Sequence, residues 1–510
     1  MTRGPRSART LRREHDHLLF ACAYPADRSV WEGANAGLHR LAAEARALSA
    51  ASRGAALHNS GIAGTTVSAA FSLATTRWLA ERFGRGVTLV SIEADKRHVM
   101  AALDATLDPV EQEVLSEQPL GWAAWQRRHL GSGAGGRLER LLRLVERLAG
   151  GPAEQEAVFA SLRVYLRWAT TPDAPLLTTG RFARGEPWFH PGGPQRRALP
   201  GEAWREGKPR QLRLTADDRR ALVDLARGTL AALLGETDPF TYAHQEAVEL
   251  HDLGRGIQVA LFTMVPARKL ALEAYVGYLL LKNQVPVAYG GGWVLGRQAR
   301  FGLNVLPPFR GGESAVILSQ LLRLYAWRFG LKLFLVEPYQ VGRGNPDGIR
   351  SGSFWFYWRL GFRPRQPELL ALAEAEARRL RRPGTRSSPA LLRRLADSVM
   401  AWETPLRARW VPLDIERIGT VVSRHVLERF DADRAAATRS AMRTLGFRHR
   451  PLAVLLAAIA PRGGWPARDL ATLARIMALK DRDELRQVVA LQHHAGLMRA
   501  LVRASAGPEG

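Results

Sequence analysis

The stretch with the clearest chemical potential is Pro307-Pro308-Phe309-Arg310-Gly311-Gly312-Glu313-Ser314-Ala315, where an apolar run ends in a turn and a long helical pattern begins. The first N–H groups of a helix have no partner inside it, so glycine-flanked amides at such a point can cradle an anion such as a phosphate. A tight turn with a glycine-tolerant cap uses the same residue types, and the flanking elements have to decide between the two. A second group is imidazole: His244 and His251 lie seven apart, on one face if the segment is helical. Val248 stands between them on that face and no third ligand is in reach, so no metal site is expected. The single cysteine, Cys22, excludes an intramolecular disulfide and a cysteine-based zinc site, and fits a reducing cytoplasm.

The elements that must hold the Arg310 turn are legible from periodicity. Segments 257–266, 273–283, 285–295 and 299–306 are apolar, β-branched or aromatic; Asn283-Gln284 and Gly296-Arg297 separate them tightly enough for hairpins, which predicts an antiparallel meander. Within it, Tyr289-Gly290-Gly291-Gly292-Trp293 is unusual for a strand, because glycine packs nothing. It marks close approach of a ligand or another backbone, or a β-bulge. From Ser314 a helix should run to Gly330 as its left-handed cap, followed by a buried strand over 331–338 and a short aromatic helix in Phe354-Trp355-Phe356-Tyr357-Trp358-Arg359-Leu360-Gly361-Phe362.

Upstream, Thr215 with Asp218 forms a capping box that opens a helix to about Leu234. Residues 28–49, 65–83, 137–149 and 157–168 read as helices, the second capped by Thr65 or Thr66, with a strand at Gly86–Asp95 between them. The stripe Leu138, Leu141, Leu142, Val145 and Leu148 at helical spacing is core. The layout that follows is a multidomain α/β chain. It has a basic tail over 1–14, an α-rich α/β domain over 15–170, a Pro/Gly/Arg-rich loop over 171–210 and a mixed-sheet domain over 211–375. A basic linker over 376–412 and an all-helical region over 413–510 complete it.

The order strand, strand, strand, Gly-rich turn, long helix, buried strand and aromatic helix, with Arg310-Gly311-Gly312 at the turn and Tyr357-x-x-Leu360-Gly361-Phe362 at the end, resembles the GNAT superfamily of N-acetyltransferases over about 255–365. The resemblance implies a GNAT-like mixed sheet with flanking helices and an acyl-CoA co-substrate. Its pyrophosphate would be held by the backbone from Phe309 through Arg310, Gly311, Gly312 and Ser314 to Ala315. It also implies that Tyr357 protonates the departing thiolate and that Asn345 contacts CoA or substrate. Three departures accompany it. Glu313 stands where the family's second glycine belongs, Asn345 lies 12 residues before Tyr357, and the two strands that normally follow Leu-Gly-Phe are missing. For the base that takes the amine proton, Glu337 at the end of the buried strand is the first choice, ahead of Glu273, His244 and His251. An oxyanion donor is expected from a strand-end amide, within Tyr289–Trp293 or near Asn304.

The expected activity is therefore N-acyl transfer from acyl-CoA or a carrier thioester to a small-molecule or protein amine. The alternative is a non-catalytic scaffold of the same fold that binds nucleic acid or another polyanion. That alternative rests on charge: 73 Lys+Arg against 48 Asp+Glu leave +25, and only six of the basic residues are lysine, a bias typical of GC-rich bacterial genomes. Such a balance attracts polyanions at long range without specifying one. With 46% apolar residues the chain can bury several cores. The basic start meets Pro25 and Asp27 soon after a short apolar patch, which argues against a secretory signal, and no run approaches the roughly 18 apolar residues of a membrane span.

Overall fold

A computed structural model describes residues 7–50, 54–133, 135–406 and 410–506. The first six residues of the expected basic tail, 407–409 of the expected linker and the last four residues of the chain lie outside the described residues. The protein is mixed α/β, 54% helix and 15% strand. It divides into two compact units: 1–193 with 215–243 and 282–286, and 194–214 with 244–281 and 287–510. Among the described residues no helix is long and apolar enough to cross a membrane.

The first unit carries a small sheet of β1 (Thr66–Ala70), β2 (Val87–Ile92) and β3 (Val164–Ala169), in the order β1-β3-β2, with β3 antiparallel to both neighbours. Two of these strands fall where helices are expected. Thr65 caps nothing; its hydroxyl donates to the Ile62 carbonyl at 2.7 Å, the chain extends as β1, and the helix Leu73–Phe83 starts only after Ser72, which accepts from the Thr75 amide. Likewise the helix Pro152–Leu162 ends at Arg163 in the left-handed region, and Val164, Leu166 and Trp168 then bury alternate positions of β3. Their alternation at period two, continuous with the helix before it, is what a helix over 157–168 overlooks. The stripe Leu138, Leu141, Leu142 and Val145 is buried in the core, as its spacing requires. The capping box of Thr215 and Asp218 opens the helix Ala216–Ala232.

The second unit is built on a nine-stranded sheet. Its strands are β4 (Arg210–Leu212), β5 (Glu249–Gly254), β6 (Ile257–Phe262), β7 (Ala274–Lys282), β8 (Val285–Leu295), β9 (Gln298–Val305), β10 (Leu333–Val336), β11 (Arg363–Pro364) and β12 (Met400–Glu403). They lie in the order β11-β12-β10-β9-β8-β7-β6-β5-β4. Asn283 and Gln284 both take positive φ, 48° and 73°, as a two-residue turn between β7 and β8 requires. His244 precedes a short turn and His251 lies inside β5, so the expected helical face does not exist. No strands are expected after Phe362, yet two short ones, β11 and β12, follow it. They are two and four residues long, and β12 arrives only after two further helices, Pro367–Arg379 and Pro389–Leu395. From Ile415 to Ala506 the described residues form helices alone.

The glycine run in β8 makes room for aromatic rings. The register from Ala288–Val305 to Leu295–Gln298 has no shift, so there is no bulge between β8 and β9. A Cβ at Gly290 would overlap the Gly302 carbonyl and the Tyr278 hydroxyl, one at Gly291 the Tyr275 ring, and one at Gly292 the Tyr325 ring.

The helix Ser314–Phe329 is buried on nearly every side, with only its polar ends and Trp327 reaching solvent, and Gly330 closes it at φ 62°, ψ 36°. Polar contacts fix it along its length. Arg323 donates to the carbonyls of Gly207 and Leu253, the Tyr325 hydroxyl to Val276, and Arg328 reaches the Glu249 carboxylate through Nε at 3.0 Å and Nη2 at 2.9 Å. His251 adds a third bond to Glu249 at 2.9 Å. Burial would raise the Glu249 pKa, but His251 and Arg328 outweigh it and hold the carboxyl at about 2, against an ordinary 4.5. A folded-state pKa below the unfolded one stabilises fully above pH 4.5, and the contribution, about 3 kcal/mol, disappears as pH falls towards 2. Denaturant midpoints of the wild type should therefore drop steeply over that window. Those of Glu249→Gln should start lower at pH 7 and change much less, and parallel curves would refute the assignment.

Candidate functional site

β9 and β10 are parallel, and their pairing covers only Gln298–Leu333, Ala299–Phe334 and Arg300–Leu335. Parallel neighbours need a crossover, here the helix Ser314–Phe329, so the helix starts beside the carboxyl ends of both strands. Beyond Arg300 and Val336 the strands part, and a cleft of about 560 Å³ opens between them. Its lining includes Leu303, Asn304, Val305, Arg310, Gln340, Asn345, Asp347, Ser353, Phe356 and Tyr357. A second cavity of about 770 Å³ lies on the other side of the helix start, walled by Gln195–Leu199, Gly312, Ala315 and Leu360. Gly311, Ser314, Phe356 and Arg359 line both, so the two cavities meet at the first turn of the helix.

The backbone of that turn divides into engaged and open amides. Phe309 donates to Leu306 at 3.0 Å, Arg310 to Pro307 at 3.3 Å and Gly312 to Phe309 at 3.0 Å, closing the 3-10 turn after the two prolines. The first intrahelical bond is Ile317 to Glu313 at 2.8 Å. Among the described residues the amides of Gly311, Ser314, Ala315 and Val316 have no acceptor. Gly311 at φ 93° supplies the reversal, and nothing lies within 4 Å of where its Cβ would be. Of the cradle expected from Phe309 to Ala315, then, Gly311, Ser314 and Ala315 remain available and Val316 joins them. Phe309, Arg310 and Gly312 are engaged in the turn, and the Phe309 side chain is wholly buried.

The carboxylate of Glu313 does not face this turn. Its side chain is fully buried, accepts from the Gln195 amide at 2.9 Å, and is 3.3 Å from Arg255, which also donates to the Gln195 side chain.

Tyr357 sits in the helix Ser353–Arg359, which sorts its aromatic residues by face. Phe354, Trp355 and Trp358 pack together, with Trp355 donating to Ser387. Tyr357 turns the other way, its ring 5.4 Å from Phe362, and lines the cleft. Burial raises its hydroxyl well above the ordinary phenol range, so it stays protonated at neutral pH. Among the described residues that hydroxyl has no hydrogen-bond partner.

Asn345 also lines the cleft, but both ends of its side chain are occupied: Oδ1 accepts from Gly348 at 3.1 Å, capping the helix Pro346–Ser351, and Nδ2 donates to Tyr339 at 3.2 Å. Glu337 directly follows β10, as the N-cap of the short helix Pro338–Val341, and lines neither cavity; the carboxylate in the cleft wall is Asp347, paired with Arg350. Glu273 is bound to Arg300 at 2.8 Å. Asn304 faces β8, because the Leu306 amide bonds Val287 and register alternates along an antiparallel pair. By the same parity the N–H groups of Leu303 and Val305 point toward the open side, where β10 has already parted.

Sequence reading did not find Arg196, Arg197 and Arg359, which line the larger cavity and have no acidic partner among the described residues. Nothing local connects residues 196 and 311; only the folded chain brings the 195–199 loop over the helix start. Among the described residues no group of three His, Cys, Asp or Glu side chains is placed to hold a metal. No protein-family model, curated protein or solved structure matches the chain.

If Asn345 is a cap, Asn345→Ala costs about 1 kcal/mol of stability. Asn345→Asp, which keeps the acceptor oxygen but loses the Nδ2 bond to Tyr339, should recover part of that loss; equal midpoints for all three proteins would refute the capping role.

Proposed function

We propose that the second unit is an N-acyltransferase similar to the GNAT superfamily, using an acyl-CoA donor and an amine acceptor. The observation that carries the reading is the row of open amides at Gly311, Ser314, Ala315 and Val316, at the point where two cavities meet beside a parting parallel strand pair. A helix start favours anions through these N–H groups and through its dipole. Arg196, Arg197 and Arg359 add positive charge on the larger cavity's side, the chemistry a pyrophosphate needs. The presence of β11 and β12 further supports the resemblance, since it removes one of its departures.

In this reading the donor's anionic part lies at the helix start and its acyl end reaches into the 560 Å³ cleft. The open N–H of Leu303 or Val305 polarises the thioester carbonyl. The amine nitrogen attacks the carbonyl carbon, the C–N bond forms, the C–S bond breaks, and the sulfur leaves with the electron pair. Tyr357, protonated and buried, gives its proton to that sulfur and recovers one from solvent. The proton shed by the amine leaves through the open cleft, past Asp347. Positioning of two reactants, with no covalent enzyme intermediate, supplies the acceleration.

The test is a thermal-shift series with acetyl-CoA, longer acyl-CoAs and free CoA, followed by thiol-release assays against a panel of amines. A donor at about 100 times its dissociation constant should stabilise by about 2.7 kcal/mol. Tyr357→Phe should then lower turnover by about 10- to 100-fold with an unchanged melting temperature. Wild-type rates in that variant would remove Tyr357 from the mechanism, and no shift with any CoA species would remove the function.

A further inference from the structure

The position that departs most from the resemblance is also the one that ties two distant segments together. Glu313 is fully buried, and a carboxylate in that state must be paired and hydrogen-bonded to persist as an anion. Its Oε1 accepts from the Gln195 amide at 2.9 Å and from Arg255 at 3.3 Å. Arg255 in turn donates to the Gln195 side-chain oxygen at 2.6 Å, and the Gln195 side-chain nitrogen donates to the Arg197 carbonyl at 2.8 Å. Glu313 and Arg255 thus hold the start of the 195–199 loop through the backbone and side chain of Gln195, and Gln195 braces the loop internally at Arg197. What the loop carries is Arg196 and Arg197, neither with an acidic partner among the described residues, in the lining of the cavity that Gly311, Gly312, Ser314 and Ala315 also line.

We infer that Glu313 is a positioning residue: it fixes the 195–199 loop across the start of the Ser314–Phe329 helix, so that Arg196 and Arg197 face the same phosphate group as the helix amides. The inference rests on the acyl-CoA reading for the identity of the phosphate's carrier, and on the Glu313 contacts alone for the clamp. It carries a sign opposite to simple electrostatics. A carboxylate one residue before the helix would repel a phosphate, so neutralising it should tighten binding. A carboxylate that holds two arginines in place should weaken binding when neutralised.

Three measurements on the full chain separate these. First, ligand-free protein is treated with trypsin and cleavage after Arg196 or Arg197 is followed by mass spectrometry; Glu313→Gln should be cut there about tenfold faster or more, from loss of its charge-assisted bonds. Arg255→Ala should show the same site of acceleration, which covers the case in which Glu313→Gln folds poorly. Second, titration with inorganic pyrophosphate should show weaker binding by about tenfold in Glu313→Gln, and a similar loss in an R196A/R197A double variant whose other tryptic sites are cut at wild-type rates. Third, the same proteins are titrated with CoA. Unchanged cleavage, or equal or tighter pyrophosphate binding in Glu313→Gln, overturns the inference. Loop opening with weakened pyrophosphate binding but no CoA binding by wild type keeps the clamp and removes the acyl-CoA reading. CoA binding that is equal in wild type and Glu313→Gln does the reverse, and binding of neither ligand by wild type overturns both.

Discussion

β10 meets β9 in parallel over Gln298–Leu333 to Arg300–Leu335 and no further. A parallel neighbour cannot be reached by a tight turn, so the chain must cross over, and the crossover is the 16-residue helix Ser314–Phe329. Because the pairing stops so early, the ends of both strands separate in front of the helix start. Strand amides lose their neighbour at the place where helix amides also lack one. Two sets of open donors therefore converge without any special side chain, and a longer β10 pairing would close the cleft.

Such a cleft needs a helix that does not shift. The contacts of Arg323, Tyr325 and Arg328 with Gly207, Leu253, Val276 and Glu249 anchor it from its middle to its last turn. Its apolar faces would tolerate sliding, since dispersion is not directional, whereas charge-assisted hydrogen bonds at fixed spacing do not. The arrangement at the other end is complementary: Glu313 turns its charge into the protein and leaves the backbone of the first turn exposed to the cavity. Burial of that carboxylate would be prohibitive alone, and Arg255 with the Gln195 amide offsets it.

Much of the sheet was legible in the sequence and the small strands were not, for a physical reason. The meander from Ile257 to Val305, the helix from Ser314, the Gly330 cap and the Thr215–Asp218 box are each specified within a few residues, by alternation or by local hydrogen bonds. β1, β3, β11 and β12 are short, and their pairing partners lie far away: β1 aligns Thr66 with Ala169, β12 aligns Met400 with Val336. A five-residue run such as Thr66–Ala70 satisfies a helical count as well as an extended one, and tertiary pairing decides. The glycine run belongs to the same class. Gly290, Gly291 and Gly292 answer to Tyr278, Tyr275 and Tyr325, whose positions no local pattern announces. In the candidate site the turn and Tyr357 were readable as motifs; the roles of Glu313, Asn345 and the 195–199 loop depend on which way each side chain turns.

The excess of arginine also looks different once the chain is folded. A net +25 suggests a surface poised for polyanions, yet several arginines are structural. In the first unit Arg181 donates to Asn35 at 3.0 Å and to the Gly180 carbonyl at 2.7 Å, and in the second Arg323 and Arg328 hold the central helix. The guanidinium suits this work, because its rigid fork satisfies several carbonyls at once where a lysine would satisfy fewer. Subtracting such residues leaves a smaller set that is charged, accessible and without an acidic partner among the described residues. Arg196, Arg197 and Arg359 belong to it, and all three line one cavity, at a helix start where the amides of Gly311, Ser314, Ala315 and Val316 have no acceptor among the described residues. Net charge measures long-range attraction; the choice of anion depends on this local concentration of unpaired donors.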